Sequence, residues 1–309
     1  MGRRGEAGTD ATELTAAPDD AGLRLDAFLA ARGAFPSRAA AQKAIEAGGV
    51  RVNDAVEPKN YRVRHDDRIA VTARAAPPPA PPAATFETAY DDPELLVVDK
   101  PAGLVTHPAA GHHGITLADL LPPGSRVVHR LDKDTSGLLL VARSEQSLEE
   151  LQRQMKAREI TREYTALVEG HPDAGSGTID APIGRDRANR TVMSTRTDRA
   201  RDAVTHFEVV ERLPRTAVLR VRLETGRTHQ IRAHLAAIGH PVVGDAQYGG
   251  SESGARLGLD RQFLHASSLM FRHPSSREFV RCESKPPVEL SHALDTARRE
   301  PVSGGPDGG

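Results

Sequence analysis

Residues 127–141 read VVHRLDKDTSGLLLV. Two apolar β-formers, Val127 and Val128, run into a polar loop over 129–137, and the chain returns to an apolar run from Leu138 to Val141. The pattern predicts strand, loop, strand, with a buried sheet gripping both ends of the loop. The loop holds His129, Arg130, Asp132, Lys133, Asp134, Thr135 and Ser136. Most charged turns between strands are merely solvated. Apolar walls directly beside so many functional groups point instead to a loop held rigid for chemistry, where catalytic and binding residues concentrate.

Working outward, the 309 residues exceed one compact core in most architectures and suffice for two domains with tails. No stretch approaches the roughly 18 apolar residues of a membrane-spanning helix, so no membrane is expected as partner. The first ten residues, MGRRGEAGTD, contain no apolar run and predict no secretory leader. The single cysteine, Cys282, excludes an internal disulfide framework and a cysteine-based zinc site. A cytoplasmic protein is expected. The net charge of -1 is a poor guide to nucleic acid, because the charge is uneven. Residues 1–21 carry two Arg against five acids (2 − 5 = −3), whereas 22–69 carry nine Lys/Arg against six (9 − 6 = +3). Local basic faces matter more for phosphate binding than the total.

Residues 1–20 lack apolar periodicity and are expected to be a disordered tail. A small α/β module is expected over 21–72. Leu25, Phe28 and Leu29 mark a short amphipathic helix. Ser37 stands where an N-cap belongs, before a second helix that buries Ala41, Ala44 and Ile45. Gly48-Gly49 ends it, and Val50 opens a strand. Val63, Asp66-Asp67, Ile69 and Val71 suggest a further strand pair. Arg38 and Lys43 fall on the exposed side of the second helix, and Arg51 begins the strand. These three are candidate phosphate contacts, although charges on a solvated face read the same way. Residues 73–85, ARAAPPPAPPAAT, are a linker of polyproline II character and the clearest boundary in the chain.

The large domain is expected over 86–291, followed by a flexible tail over 292–309. Leu95 to Val98 reads as a buried strand closed by a turn at residues 99–103. His107, His112 and His113 follow, but they lack a helical i, i+4 pair and an adjacent carboxylate, so no metal is assigned. Ser144 caps a helix with Leu148, Leu151 and Met155 as its stripe. Tyr164 to Val168 is strand-like. Residues 171–200 are loop-rich and basic, with Arg185, Arg187, Arg190, Arg196 and Arg199, and are either solvated or the wall of an RNA groove. Residues 205–210 and 217–223 alternate as a hairpin about Pro214. In ETGRTHQIRAH, residues 224–234, Thr228 is expected to cap a helix whose Ile231, Leu235 and Ile238 face the core. His229 and Arg232 share a face of its first turns, and an oriented Arg there can fix a carboxylate.

No Gly-rich phosphate loop, serine elbow or dinucleotide fingerprint appears. A carboxylate in a basic loop without a cofactor motif suits covalent catalysis by Asp. The residues alone do not name a substrate.

HRLDKDTSGLLLVA closely resembles the signature of the RluA/RluD family of pseudouridine synthases. LLVVDKPAGLVTHP, REYTALVEG, GRTHQIRAHL, PVVGDAQYG and FLHASSLMFRHP match further blocks in order. The 21–72 module resembles the S4 RNA-binding domain that precedes the RluD-like branch. The resemblance spans about 22–290. It implies an α+β fold: the S4-like module, then a catalytic domain with a mixed, mainly antiparallel sheet and flanking helices. It implies isomerisation of uridine to pseudouridine without a cofactor, most simply in large-subunit (23S) ribosomal RNA, free or in a pre-ribosomal particle. Transfer RNA as substrate and a non-catalytic ribosome-assembly role are the alternatives. A monomer is expected.

By the same resemblance Asp132 is the catalytic residue, acting at ribose C1′ or on a ribose proton. Tyr164 packs on the uracil, and Arg232 pairs with Asp132, with Arg227 as the nearer competitor for that role. Arg130 displaces the target nucleotide, Leu264 helps close the pocket, and His129 positions RNA or the loop. One departure from the family pattern is Arg162, where Lys is common two residues before the tyrosine.

Overall fold

The computed structural model describes residues 11–35, 38–46, 48–72, 86–108, 114–187, 189, 192–197 and 200–301. The expected linker (73–85), Ser37, His112, His113, Arg190 and Arg199 lie outside these residues. The described chain falls into two compact units, one before residue 84 and one from it.

The first unit comprises β1 (Ala11–Thr15), α1 (Leu25–Ala31), α2 (Arg38–Glu46), β2 (Val50–Val52) and β3 (Arg68–Thr72). Its sheet has the order β1-β3-β2, antiparallel throughout. Leu25, Phe28 and Leu29 of α1 and Ala41 and Ile45 of α2 pack with Val50, Val52, Val63 and Ile69 in one buried cluster. Two expectations are corrected here. Residues 11–15 are not part of a disordered tail but an edge strand, paired from Ala11↔Thr72 to Thr15↔Arg68. Its stability comes from backbone ladder bonds to β3, which leave little trace in apolar pattern. Val63 lies in no strand; it enters the core while its backbone bonds Gly22 and Leu23.

The second unit comprises β4 (Glu87–Asp91), β5 (Leu95–Lys100), α3 (Leu117–Leu120), β6 (Arg126–Val127), β7 (Ser136–Ala142), α4 (Glu145–Lys156) and β8 (Thr161–Glu169). It continues with β9 (Ser176–Asp180), β10 (Gly184–Arg185), β11 (Met193–Ser194), β12 (Val204–Arg212), β13 (Thr216–Leu223) and α5 (Gln230–Ala237). The last elements are α6 (Ser251–Arg256), β14 (Leu264–Arg272), β15 (Phe279–Glu283) and α7 (Val288–Arg299). The main sheet runs β4-β5-β7-β14-β8-β13-β12-β9, with β15 on β14 and β6 on β7. Only the β7–β14 pair is parallel, so the sheet is mixed and mainly antiparallel. Its middle strands are apolar on both faces. Leu139 and Val141 of β7 serve one core, and Leu138 and Leu140 serve another that takes Leu148 and Leu151 of α4. Ser144 caps α4 by accepting from the Ser147 N–H.

Gly137 shows why β7 begins where it does. Its φ is +112°, and a Cβ there would run into the Ala266 backbone. Glycine lets the end of the polar loop before β7 enter the sheet directly against β14.

Four further expectations change. Residues 171–200 are less irregular than expected, since β9 edges the main sheet on β12. Thr228 does not cap α5: the helix starts at Gln230, preceded by His229 in the left-handed region (φ 53°). The buried Gln230 amide takes over, accepting from the Arg227 N–H and the Thr225 hydroxyl and donating to Val204 and Thr205. Ile238 ends α5 and is partly exposed rather than core. Residues 288–299 form α7, not a tail that frays from 292, because Leu290, Ala293 and Ala297 pack into the main core. Two of those three are alanines, which hides the apolar stripe among charged neighbours.

Removing the Leu290 side chain should therefore cost core packing. Leu290→Ala is expected to lower unfolding stability by about 2–4 kcal/mol in denaturant titration. A change below about 0.5 kcal/mol, the size of an ordinary surface substitution, would mean that α7 contributes nothing.

Candidate active site

The loop between β6 and β7 is held chiefly by its carbonyls. The Thr106 hydroxyl donates to Leu131 O at 2.8 Å and accepts from the Leu131 N–H. Lys100 Nζ donates to Lys133 O at 3.0 Å, and Arg261 Nη1 to Asp134 O at 3.0 Å. Asp132 O accepts from the Thr135 N–H, closing a tight turn. Every residue flanking Asp132 is thus pinned, and its carboxylate is left facing a cleft of about 240 Å³.

Lys100 is fully buried at the end of β5. Its remaining donors go to Pro101 O (2.8 Å) and Leu104 O (2.9 Å), so three carbonyls match the three donors of an ammonium. Burial pulls it down to about 7, against the upward pull of Asp134 and Asp132. The sequence pattern predicts a turn at residues 99–103, but Lys100 ends β5 as an anchor, and a Lys closing an otherwise apolar strand is the signal for it.

Asp132 is oriented from α5. Arg232 Nη1 donates to Asp132 Oδ2 at 3.2 Å. The same guanidinium is clamped by the fully buried Asp245, through Nε at 2.5 Å and Nη2 at 2.8 Å. Nη2 also reaches Gln247, and the Tyr248 ring lies 5.0 Å from the guanidinium carbon. Burial would lower the Arg232 guanidinium, but Asp245 and then Asp132 more than reverse this, so it stays charged. Asp245, Gln247 and Tyr248 were not foreseen individually, although the stretch PVVGDAQYG contains them. His229 Nε2 lies 4.0 Å from Asp132, and its Nδ1 is hydrogen-bonded to the Tyr248 hydroxyl at 3.2 Å. Burial lowers the His229 pKa, which favours the neutral ring beside Arg232.

The other expected residues divide into two groups. Tyr164, buried on β8, and Leu264, at the start of β14, line the same cleft as Asp132 and Arg232. Burial raises the Tyr164 phenol, with Arg162 opposing the shift. Arg130 is exposed at the cleft. Arg227 also lines it, but its Nε donates to Asp202 O, so Arg232 and not Arg227 is the partner of Asp132. His129 Nε2 accepts the Leu140 N–H at 3.2 Å, which ties the loop to β7. In the first unit, Arg51 is exposed and donates to Asp54 O. Arg38 is partly diverted inward: it donates to the buried Asp26, as do Arg24 and Gln42. Burial alone would raise the Asp26 carboxyl, but these three donors hold it well below the usual carboxylate range. Lys43 lies on α2, as expected.

A carboxylate aimed by a buried cation into an open cleft, with a tyrosine in the wall, is an arrangement that can act as nucleophile or base on a bound ligand. Residues 94–237 match the RNA pseudouridylate synthase family, and 23–69 match the S4 domain. The chain is 37% identical over 308 residues to the uncharacterized RNA pseudouridine synthase YlyB of Bacillus subtilis, covering 93% of this chain and 98% of that one. It is 40% identical over 307 residues to ribosomal large subunit pseudouridine synthase D of Xanthomonas campestris, covering 92% of each. The solved structure of human RNA pseudouridylate synthase domain containing 1 aligns with a TM-score of 0.56 at 31% identity, over 66% of this chain and 84% of that one. The chain belongs to the RNA pseudouridine synthases and carries an S4 domain in front of the synthase domain.

His129 sets a pH dependence of stability. Burial pushes its pKa down to about 3, with Arg162 adding to the effect, against an ordinary value of 6.5. Between these values the unfolded chain binds the proton and the folded one does not, so stability falls as pH drops from about 6.5 towards 3. The slope from this group approaches 1.4 kcal/mol per pH unit. His129→Asn, which keeps an acceptor for Leu140, should flatten the curve in that window; an unchanged slope in acid denaturation would contradict the assignment.

Proposed function

We propose that this protein converts specific uridines of large-subunit ribosomal RNA to pseudouridine, with Asp132 as the catalytic group and no cofactor. The observation that carries the chemistry is the Asp132–Arg232–Asp245 chain in the cleft. The RNA class is supported by near full-length likeness to proteins named ribosomal large subunit pseudouridine synthase D, from Xanthomonas campestris and Nitrosomonas europaea.

Asp132 acts on the ribose. Either its carboxylate oxygen bonds C1′ as the N1–C1′ bond breaks, or it removes the C2′ proton and a glycal forms. The uracil then turns against Tyr164 and Leu264, and C5 bonds C1′ as the Asp132–C1′ ester bond breaks and returns the carboxylate, or as the glycal's C2′ takes its proton back from Asp132. A base takes the C5 proton and N1 gains one, so the result is an isomer. Arg232 aims Asp132 and favours its charged form, as a neighbouring cation does for any carboxylate. Arg130, exposed at the rim, fills the place of the displaced nucleotide, since chemistry on a base requires it to leave its stack. The S4 domain adds phosphate contacts that position the RNA without reading its sequence.

Two tests follow from these assignments. Pseudouridine is mapped in ribosomal and transfer RNA from a deletion strain complemented with wild type or Asp132→Asn. Large-subunit sites should vanish and return only with wild type. Loss confined to transfer RNA would replace the substrate, and rescue by both forms would leave an RNA-binding assembly factor. Separately, Lys43→Ala with Arg51→Ala should weaken RNA binding and shallow its salt slope by about 0.9 per lost phosphate contact, the duplex-DNA value, or about 0.7 for single strands. Arg38 is left out of that variant, because its loss would uncover Asp26. An unchanged slope would remove these two residues from the RNA interface.

A further inference from the structure

Arg162 is a buried cation in the cleft wall without a counter-ion. It is 94% buried (6% exposed), and among the described residues no carboxylate pairs with it. Its one hydrogen bond is long, Nη2 to Thr225 O at 3.4 Å, and Nε is buried with no partner. The other two buried arginines among the described residues are neutralised, Arg232 by Asp245 and Asp132, and Arg261 by Glu289. A desolvated charge left unpaired is costly, and such groups mark places where a ligand supplies the missing partner.

The chain also keeps room for it. A Cβ on Gly226 would stand 2.9 Å from Arg162 Nη1, so the glycine of the GRTHQIR segment clears space for the guanidinium. Arg162 and Tyr164 sit two apart on β8, both buried and on one face, and both line the cleft that holds Asp132. Two residues span about 6.6 Å along a strand. That spacing leaves room for a pyrimidine against the tyrosine ring to turn a carbonyl edge to the guanidinium.

We propose that Arg162 neutralises the uracil anion released when the N-glycosidic bond breaks. This rests on the function proposed above. The N1–C1′ bond breaks with its electron pair on uracil, and a neutral base becomes a monoanion spread over N1, O2 and O4. C1′ is satisfied by the Asp132 oxygen or by loss of the C2′ proton to Asp132. A guanidinium already buried and unpaired gains its counter-ion only at that step, which is how an oriented charge accelerates a reaction rather than merely binding substrate. A backbone phosphate is the weaker assignment, because the rim already offers Arg130 and Arg227, whereas Arg162 is buried in the wall beside Tyr164.

The test is single-turnover kinetics of the full chain at saturating RNA, with uridine or 5-fluorouridine at the target. Fluorine at C5 stabilises the departing anion, and disappearance of the starting nucleoside is read by mass spectrometry after digestion. Arg162→Gln should slow uridine about 10²–10³-fold, with RNA affinity unchanged within about threefold. 5-Fluorouridine should recover at least about tenfold of that loss relative to wild type, by the rate logic of an easier leaving group. Arg162→Lys should keep most of the rate, and Gly226→Ala should slow it by crowding the guanidinium, with thermal melting confirming that each variant folds. An unchanged uridine rate, the same fluorouridine-to-uridine ratio in variant and wild type, or a loss confined to RNA affinity would overturn the assignment. Wild type that forms no pseudouridine in any ribosomal or transfer RNA would instead overturn the proposed function, and this inference with it.

Discussion

A buried guanidinium shared by two carboxylates is the interaction on which the site depends. Arg232 spends two donors on Asp245 and one on Asp132. The two carboxylates are not equivalent. Asp245 is fully buried and bidentate, which offsets the cost of taking the cation out of water. Asp132 keeps one long contact and partial exposure, so it is aimed without being consumed. If Asp245 were absent, Asp132 would be the sole counter-ion of a buried charge, held too tightly to act on anything else.

Direction comes from α5, and position comes from the loop. Lys100, Thr106 and Arg261 hold the carbonyls of Lys133, Leu131 and Asp134, the first two from the stretch running from the end of β5 to α3 and the third from just before β14. Backbone acceptors are obligatory groups that must be served when buried. Serving them with three side chains that are remote in sequence from the loop removes much of the freedom a nine-residue polar loop would otherwise have. A group fixed this way needs little reorganisation at the moment of reaction, the condition under which electrostatic effects are largest.

Charge in the first unit obeys the same logic. Arg38, placed by its helix register on an outer face, is partly drawn in by Asp26, which three donors keep ionised. A cation near a buried carboxylate serves the fold first, and only what remains exposed is open to phosphates. Position on an amphipathic helix therefore overstates how many basic residues are free for RNA.

Apolar runs mark the buried strands at Leu95–Val98 and Leu138–Val141 and the helix striped by Leu148, Leu151 and Met155, which the structure extends to Leu95–Lys100, Ser136–Ala142 and Glu145–Lys156. The polar loop over 129–137 is equally legible in the sequence, as is, by resemblance, the pairing of Asp132 with Arg232. Those features are local or carried by contiguous motifs. Tertiary structure keeps Arg232 as the partner of Asp132 by tying Arg227 to Asp202, and it alone brings Asp245 to the site, makes Lys100 an anchor and leaves Arg162 without a counter-ion. It also turned Ala11–Thr15 into an edge strand and Val288–Arg299 into a packed helix. Most of these rest on groups a dozen or more residues away, such as Lys133 for Lys100 and Thr72 for Ala11, and Arg162 is set apart by the carboxylate it does not meet. Chain spacing says which groups are present, but charge compensation and hydrogen-bond satisfaction depend on which of them meet.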